Sequence, residues 1–249
     1  MPITVNLFST CLASTFRATI ADAAETALRR AGAEVVRPRG LTCCGQPAFN
    51  AGDWESARRM AEHTIRVLEA YSGPVVLPAG SCAAMLRQHY GELFAEDPAW
   101  RPRAEALAQR SYELSEFLVD VLGVTDLGVA FPHRVTYHPS CHLLRALGVD
   151  RQPRALIAAL HGAEFVELPH AEECCGFGGV FSAEFPEIAE AMLARKVANI
   201  AATGADYCIT ADPSCLLHIQ GGLNKAGVPT RMIHLAEVLG APQRSEPAP

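Results

Sequence analysis

Nine cysteines, at positions 11, 43, 44, 82, 141, 174, 175, 208 and 215, are the residues here best suited to chemistry. Eight superimpose when the chain is shifted by about half its length: Cys11 onto Cys141 by 130 residues, Cys43-Cys44 onto Cys174-Cys175 by 131, and Cys82 onto Cys215 by 133. Each half thus offers four thiols, and thiolate-only ligation suits zinc, copper(I) or iron–sulfur clusters rather than hard cations. Structural zinc sites usually draw ligands from paired cysteines two to four residues apart, whereas each half here has a lone cysteine, an adjacent pair and another lone cysteine. Adjacent thiols reach different irons of a cluster more readily than they serve one tetrahedral ion, so the pattern favours a cluster, with zinc as a possible substitute. Core packing explains neither doublet, and a dithiol–disulfide enzyme would be expected to carry the C-x-x-C that is missing. Cys208 has no counterpart, lies in an apolar run and reads as a core thiol.

Other side chains cluster around these cysteines. His138 and His142 flank Cys141, where an imidazole could ligate, relay protons, or cap and pack. Arg17, Arg87 and Arg145 could supply an anion site or be solvated, and His142 and Arg145 are the candidate base and carboxylate clamp should a hydroxy acid bind. Gly176-Phe177-Gly178-Gly179 begins like a phosphate loop, but Phe181 occupies the sixth position of G-x-G-x-x-G. A backbone that must approach a cluster closely is the preferred reading.

The elements that position these residues also repeat. An apolar run precedes the first cysteine of each half (Val5 to Phe8; Val135 to Tyr137), and an alanine- and leucine-rich segment of helical period follows. Gly32-Ala33-Glu34-Val35-Val36 recurs as Gly162-Ala163-Glu164-Phe165-Val166, a helix-ending glycine opening a second strand. The Cys-Cys-Gly falls on the next loop, a second helix follows (about Trp54 to Ala70; about Glu184 to Thr203), and a third apolar run (Val75 to Leu77; Tyr207 to Ile209) leads to Cys82 or Cys215. Alternating strands and helices predict α/β architecture: two pseudo-equivalent, Rossmann-like parallel sheets with the cysteines just beyond strand carboxyl ends. Residues 1–125 are expected to form the first domain with its connecting helix near Tyr112 to Leu122, residues 130–241 the second, and residues 242–249 a disordered tail.

Composition sets the class. The 249 residues are 49% hydrophobic and 19% charged, a globular balance. No window reaches the roughly 18 uninterrupted apolar residues of a transmembrane helix. A start of Met1-Pro2-Ile3-Thr4-Val5 lacks a basic then apolar leader, so a cytoplasmic location, peripheral to the membrane only through partners, is expected. A formal net charge of −6 without a lysine or arginine block argues against a nucleic-acid partner.

Cys43-Cys44-Gly45-Gln46-Pro47-Ala48-Phe49-Asn50, Gly80-Ser81-Cys82, Tyr112-Glu113-Leu114-Ser115-Glu116-Phe117, Ser140-Cys141-His142 and Cys174-Cys175-Gly176-Phe177-Gly178-Gly179 give the chain a resemblance to the CCG (cysteine-rich domain) iron–sulfur proteins. Among these it resembles the lactate-utilisation protein A family, over nearly its whole length. The wider group includes the cysteine-rich component of heterodisulfide reductase and the iron–sulfur component of glycolate oxidase. The resemblance implies an electron-transfer subunit of an L-lactate oxidising complex, working beside a ferredoxin-like iron–sulfur subunit and a third small subunit. Rival readings are an iron–sulfur subunit for another 2-hydroxy acid such as glycolate, and a zinc-stabilised scaffold without redox function. Where the wider family places a fifth cysteine, three residues before the last of each half, this chain has Ala79 and Asp212. Five-thiolate clusters are therefore not carried over, and four thiols suffice for a [4Fe–4S] cube. Asp212 could add an oxygen ligand or cap a helix.

Overall fold

The computed structural model describes residues 2–242. Of the tail expected to be disordered, residues 243–249 lie outside the described residues.

Short apolar runs between amphipathic helices form two four-stranded sheets. The first contains β1 (Thr4–Leu7), β2 (Glu34–Val36), β3 (Val75–Leu77) and β4 (Ser111–Glu113), in the order β2-β1-β3-β4 with every pairing parallel. The second contains β5 (Arg134–His138), β6 (Glu164–Phe165), β7 (Tyr207–Thr210) and β8 (Arg231–His234), in the matching order β6-β5-β7-β8. Equivalent registers, with Val5 opposite Val35 and Val135 opposite Phe165, confirm the internal duplication.

Helices return the chain between parallel strands. Helix Trp54–Glu69 shows why they form: the Asp53 side chain caps it by accepting from the Ser56 amide at 3.1 Å, and Ala57, Ala61, Ile65 and Leu68 recur on one buried stripe. Alternation along the strands separates three packed layers. Val5, Leu7 and Val76 join Val135, Tyr137 and Ile209 in one core shared by both sheets. Val75 and Leu77 face an outer core in the first half, and Cys208 and Met232 face another in the second. Cys208 is fully buried in β7, as its apolar surroundings in sequence suggested.

The segment Tyr112 to Leu122 is only partly the helix expected of it. Ser111–Glu113 pairs with Val75–Leu77 as β4, and the helical turn begins at Leu114, where Glu113 and Glu116 close a capping box; a π-turn, Phe117–Val121, follows. No periodicity marked β8 either. Both are edge strands of three or four residues, held in place by their neighbours rather than by pattern.

Candidate metal centres

The strand order reverses between β1 and β3 in one sheet and between β5 and β7 in the other, which is where open parallel sheets collect ligands at their carboxyl ends. All eight duplicated cysteines converge there. Cys11 opens helix Cys11–Phe16 just after β1, and Cys82 lies in helix Gly80–Ala84 after β3. In the second half Cys141 directly precedes the π-turn His142–Ala146 after β5, and Cys215 lies in the first turn of helix Pro213–Ala226 after β7. The doublets sit on the loops beyond β2 and β6. Helix amino ends favour negative charge, so these positions suit thiolates.

The two thiol sets have nearly the same geometry. Cys44 and Cys82 are buried with sulfurs 3.4 Å apart, as are Cys175 and Cys215. Those separations exceed a disulfide bond of about 2.05 Å, and all nine cysteines are free. In each half the first thiol of the doublet is the acidic one. Cys43 is pulled well below its ordinary range by hydrogen bonds from Cys11 and Cys44, aided by the Gly45 amide at 3.5 Å. Cys174 is lowered in the same way by Cys141 and Cys175, aided by the Gly176 amide at 3.4 Å. Cys11, Cys44, Cys141 and Cys175 move the opposite way, chiefly because they donate to that sulfur. A bound soft metal would displace the remaining thiol protons.

Residues from both halves enclose a cavity of about 240 Å³, lined by Cys11, Cys43, Cys44 and Cys82 and, from the second half, by Phe177, Gly179 and Asp212 among others. Both carboxylate oxygens of Asp212 are engaged by backbone amides. One carboxylate oxygen caps helix Pro213–Ala226 through the Ser214 amide at 3.0 Å, and the other accepts the Ser81 amide of the opposite half at 2.8 Å. Nor do the arginines form an anion site. Arg17 pairs with Glu237 at 2.8 Å, Arg87 grips both oxygens of Glu116, and exposed Arg145 donates to the Glu172 carbonyl at 2.8 Å. The Nε2 of His142 lies 2.9 Å from Gln46, next to the other half's doublet loop, and neither His142 nor Arg145 lines the cavity. Gly176 is required for a different reason from the one its loop suggested. With φ at +90°, an added Cβ would lie 2.7 Å from the Ala189 carbonyl of helix Pro186–Thr203, so helix packing imposes the glycine.

The halves differ in three buried polar positions close to the thiols of the second: Phe8, Thr64 and Ala79 of the first half correspond to His138, Lys196 and Asp212 of the second. His138 is fully buried, and neither ring nitrogen has a hydrogen-bond partner. Burial and the nearby Lys196 charge push its pKa down to about 3, so the ring is neutral. The ligand atoms of His138, Cys175 and Cys215 all lie within 4.8 Å of one another. Lys196, also buried, donates to the carbonyls of His170 and Ala171 at 3.0 and 3.2 Å and anchors the loop that leads into Cys174. A lysine inside an otherwise apolar helical stripe was the signal for it.

Similarity to known proteins agrees with the duplication. The cysteine-rich domain (CCG) family model matches residues 5–87 and again 135–220. "Lactate utilization protein A" of Exiguobacterium sp. is 45% identical over 94% of this chain and 96% of its own. Proteins of the same name from Oceanobacillus iheyensis and Geobacillus sp. are each 44% identical, over 94% and 95% of this chain. A solved structure of a hypothetical protein from Helicobacter pylori aligns with 96% of this chain at a TM-score of 0.65 and 12% identity; this chain spans about half of that one (48%), and the likeness is one of fold. Twofold match to the domain model and near full-length similarity together place the chain in the lactate utilization protein A family of cysteine-rich CCG-domain proteins.

Proposed function

We propose that this protein is an iron–sulfur electron carrier of an L-lactate oxidising system. Cys11, Cys43, Cys44 and Cys82 hold one cluster, and Cys141, Cys174, Cys175 and Cys215 the other. The observation that carries this reading is the convergence of four free thiols at the switch point of each sheet, with the same 3.4 Å sulfur approach in both halves. The donor set fits a soft, thiophilic centre. When bound, such a cluster stores and passes one electron at a time.

The chain's own residues set the conditions for that transfer. The Gly45 and Gly176 amides donate to the Cys43 and Cys174 sulfurs and stabilise their negative charge, and burial of Cys44, Cys82, Cys175 and Cys215 keeps water away. Gln46, beside the Cys43-Cys44 doublet, meets His142, beside Cys141 of the other half, at 2.9 Å, so the two thiol sets are tied across the interface. Oxidation of lactate to pyruvate removes two electrons and a proton. This chain carries no nicotinamide or flavin fingerprint, and His142 and Arg145 are held by other partners, so we assign the oxidation to a companion subunit. The companions are a ferredoxin-like iron–sulfur protein and a third small protein, and the chain works with them as an oxidoreductase complex. Membrane association is not needed for this role, and among the described residues no helix is long and apolar enough to cross a membrane.

Anaerobic expression followed by measurement of iron, acid-labile sulfide and zinc per chain tests the proposal. Two [4Fe–4S] centres require about eight irons with matching sulfide, an EPR signal on reduction, and loss of half the iron when Cys43-Cys44 or Cys174-Cys175 is replaced by serine. Zinc without sulfide, even after anaerobic reconstitution, would overturn it.

A further inference from the structure

The two thiol sets are not chemically equal, and the difference lies in one buried ring. His138 ends β5 with no exposed surface, and both its nitrogens lack partners. A neutral imidazole carries one N–H donor and one lone pair, and leaving either unmet in a buried site is destabilising. The first half shows that the fold does not need this: Phe8 occupies the equivalent place, equally buried, packed against the same outer core as Cys44 and Cys82. His138 therefore bears a penalty that the architecture itself does not impose.

Its surroundings indicate what offsets that penalty. The ring points toward Cys175 and Cys215, with the three ligand atoms mutually within 4.8 Å and the two sulfurs 3.4 Å apart. The ring thus stands as close to these thiols as a further ligand of the same metal centre must. Lys196, on the neighbouring helix, holds its ammonium on the loop carbonyls of His170 and Ala171, so the loop that leads into Cys174 is fixed beside the ring.

We infer that His138 is a ligand of the metal centre in the second half, making that centre a mixed thiolate–imidazole site while the first half's is thiolate only. The inference rests on the iron–sulfur reading above.

The test uses the full chain with Cys43 and Cys44 replaced by serine, so that only the second centre contributes, grown with ¹⁴N- or ¹⁵N-histidine and reduced anaerobically. Iron and sulfide are assayed first, and pulsed EPR then reads nitrogen couplings. The expected result is bound iron with a coupling of the strength of a coordinated imidazole. It should change with the isotope and disappear in His138→Phe, which copies Phe8. Iron and sulfide without such a coupling, or with one that survives His138→Phe, would overturn the inference and leave the electron-carrier reading standing. Absence of iron and sulfide would overturn both. If His138→Phe fails to fold, His138→Leu takes its place, and retention of the coupling in His142→Gln excludes the other ring beside Cys141 as its source.

Discussion

Glu113 is a residue whose charge state the fold controls. It is 1% exposed, one carboxylate oxygen has no partner, and burial raises its pKa from 4.5 to about 7 against the pull of the Ser115 and Glu116 donors. Below about pH 4.5 the group is protonated in both the folded and unfolded chain. As pH rises through about 7 the unfolded chain releases its proton first, so the protein loses stability, by up to about 3 kcal/mol for a shift of this size. Glu113→Gln should remove that loss, and urea denaturation of both proteins at about pH 5 and pH 8 would show the variant's flatter response. The glycines after the doublets make a second residue-scale prediction. Both have φ near +90°, which costs a non-glycine residue about 1–3 kcal/mol. An alanine Cβ would lie 3.3 Å from the Ala57 carbonyl at Gly45 but 2.7 Å from the Ala189 carbonyl at Gly176. Gly176→Ala should therefore be the more destabilising and should lower metal retention in the second half, checked by thermal denaturation and iron content. The eight cysteines were legible in sequence because their repeat is independent of folding. The orphaned His138 nitrogens and the buried Lys196 head were not, since burial and partners arise only when the helices dock.

At the scale of elements, short edge strands and the ties between loops escaped the sequence. β4 and β8 have three and four residues and no alternation strong enough to reveal them, whereas β1, β3, β5 and β7 announce themselves as apolar runs. Asp212 shows how one side chain can serve two elements. It caps helix Pro213–Ala226 and accepts the amide of Ser81 in helix Gly80–Ala84 of the other half. Asp212→Ala removes a cap worth about 1 kcal/mol and leaves a buried amide unmet at a further 1–3 kcal/mol or so, a total loss of about 2–4 kcal/mol. Asp212→Asn, with one acceptor oxygen, should fall between the two. Equilibrium denaturation of the three proteins checks the order.

Across the whole molecule the halves exchange contacts in a reciprocal pattern. Helix Thr19–Arg30 of the first half packs on helix Leu235–Leu239 of the second, and Arg30 donates to the Leu239 carbonyl at 2.7 Å. Helix Arg151–Ala158 of the second packs on the segment Leu114–Val121 of the first, where Asp120 accepts from Arg151 at 2.6 Å. The inner faces of both sheets share one apolar core. Residues 1–125 and 130–241 expressed apart should each expose that face and aggregate, and the intact chain should unfold in a single transition. Size-exclusion chromatography of the fragments and coincident fluorescence and circular-dichroism melts of the whole would test this.

Such reciprocity is the geometry of a symmetric dimer, in which each patch meets its own copy. In a dimer of identical chains, any substitution appears at both sites at once. Joining the copies in one polypeptide releases that constraint while keeping the interface. Phe8 can remain a packing residue while its twin becomes His138, and Ala79 can stay inert while its twin Asp212 reaches across to cap. Covalent linkage thus gives the two sites separate genetic addresses, so each can diverge without altering the other.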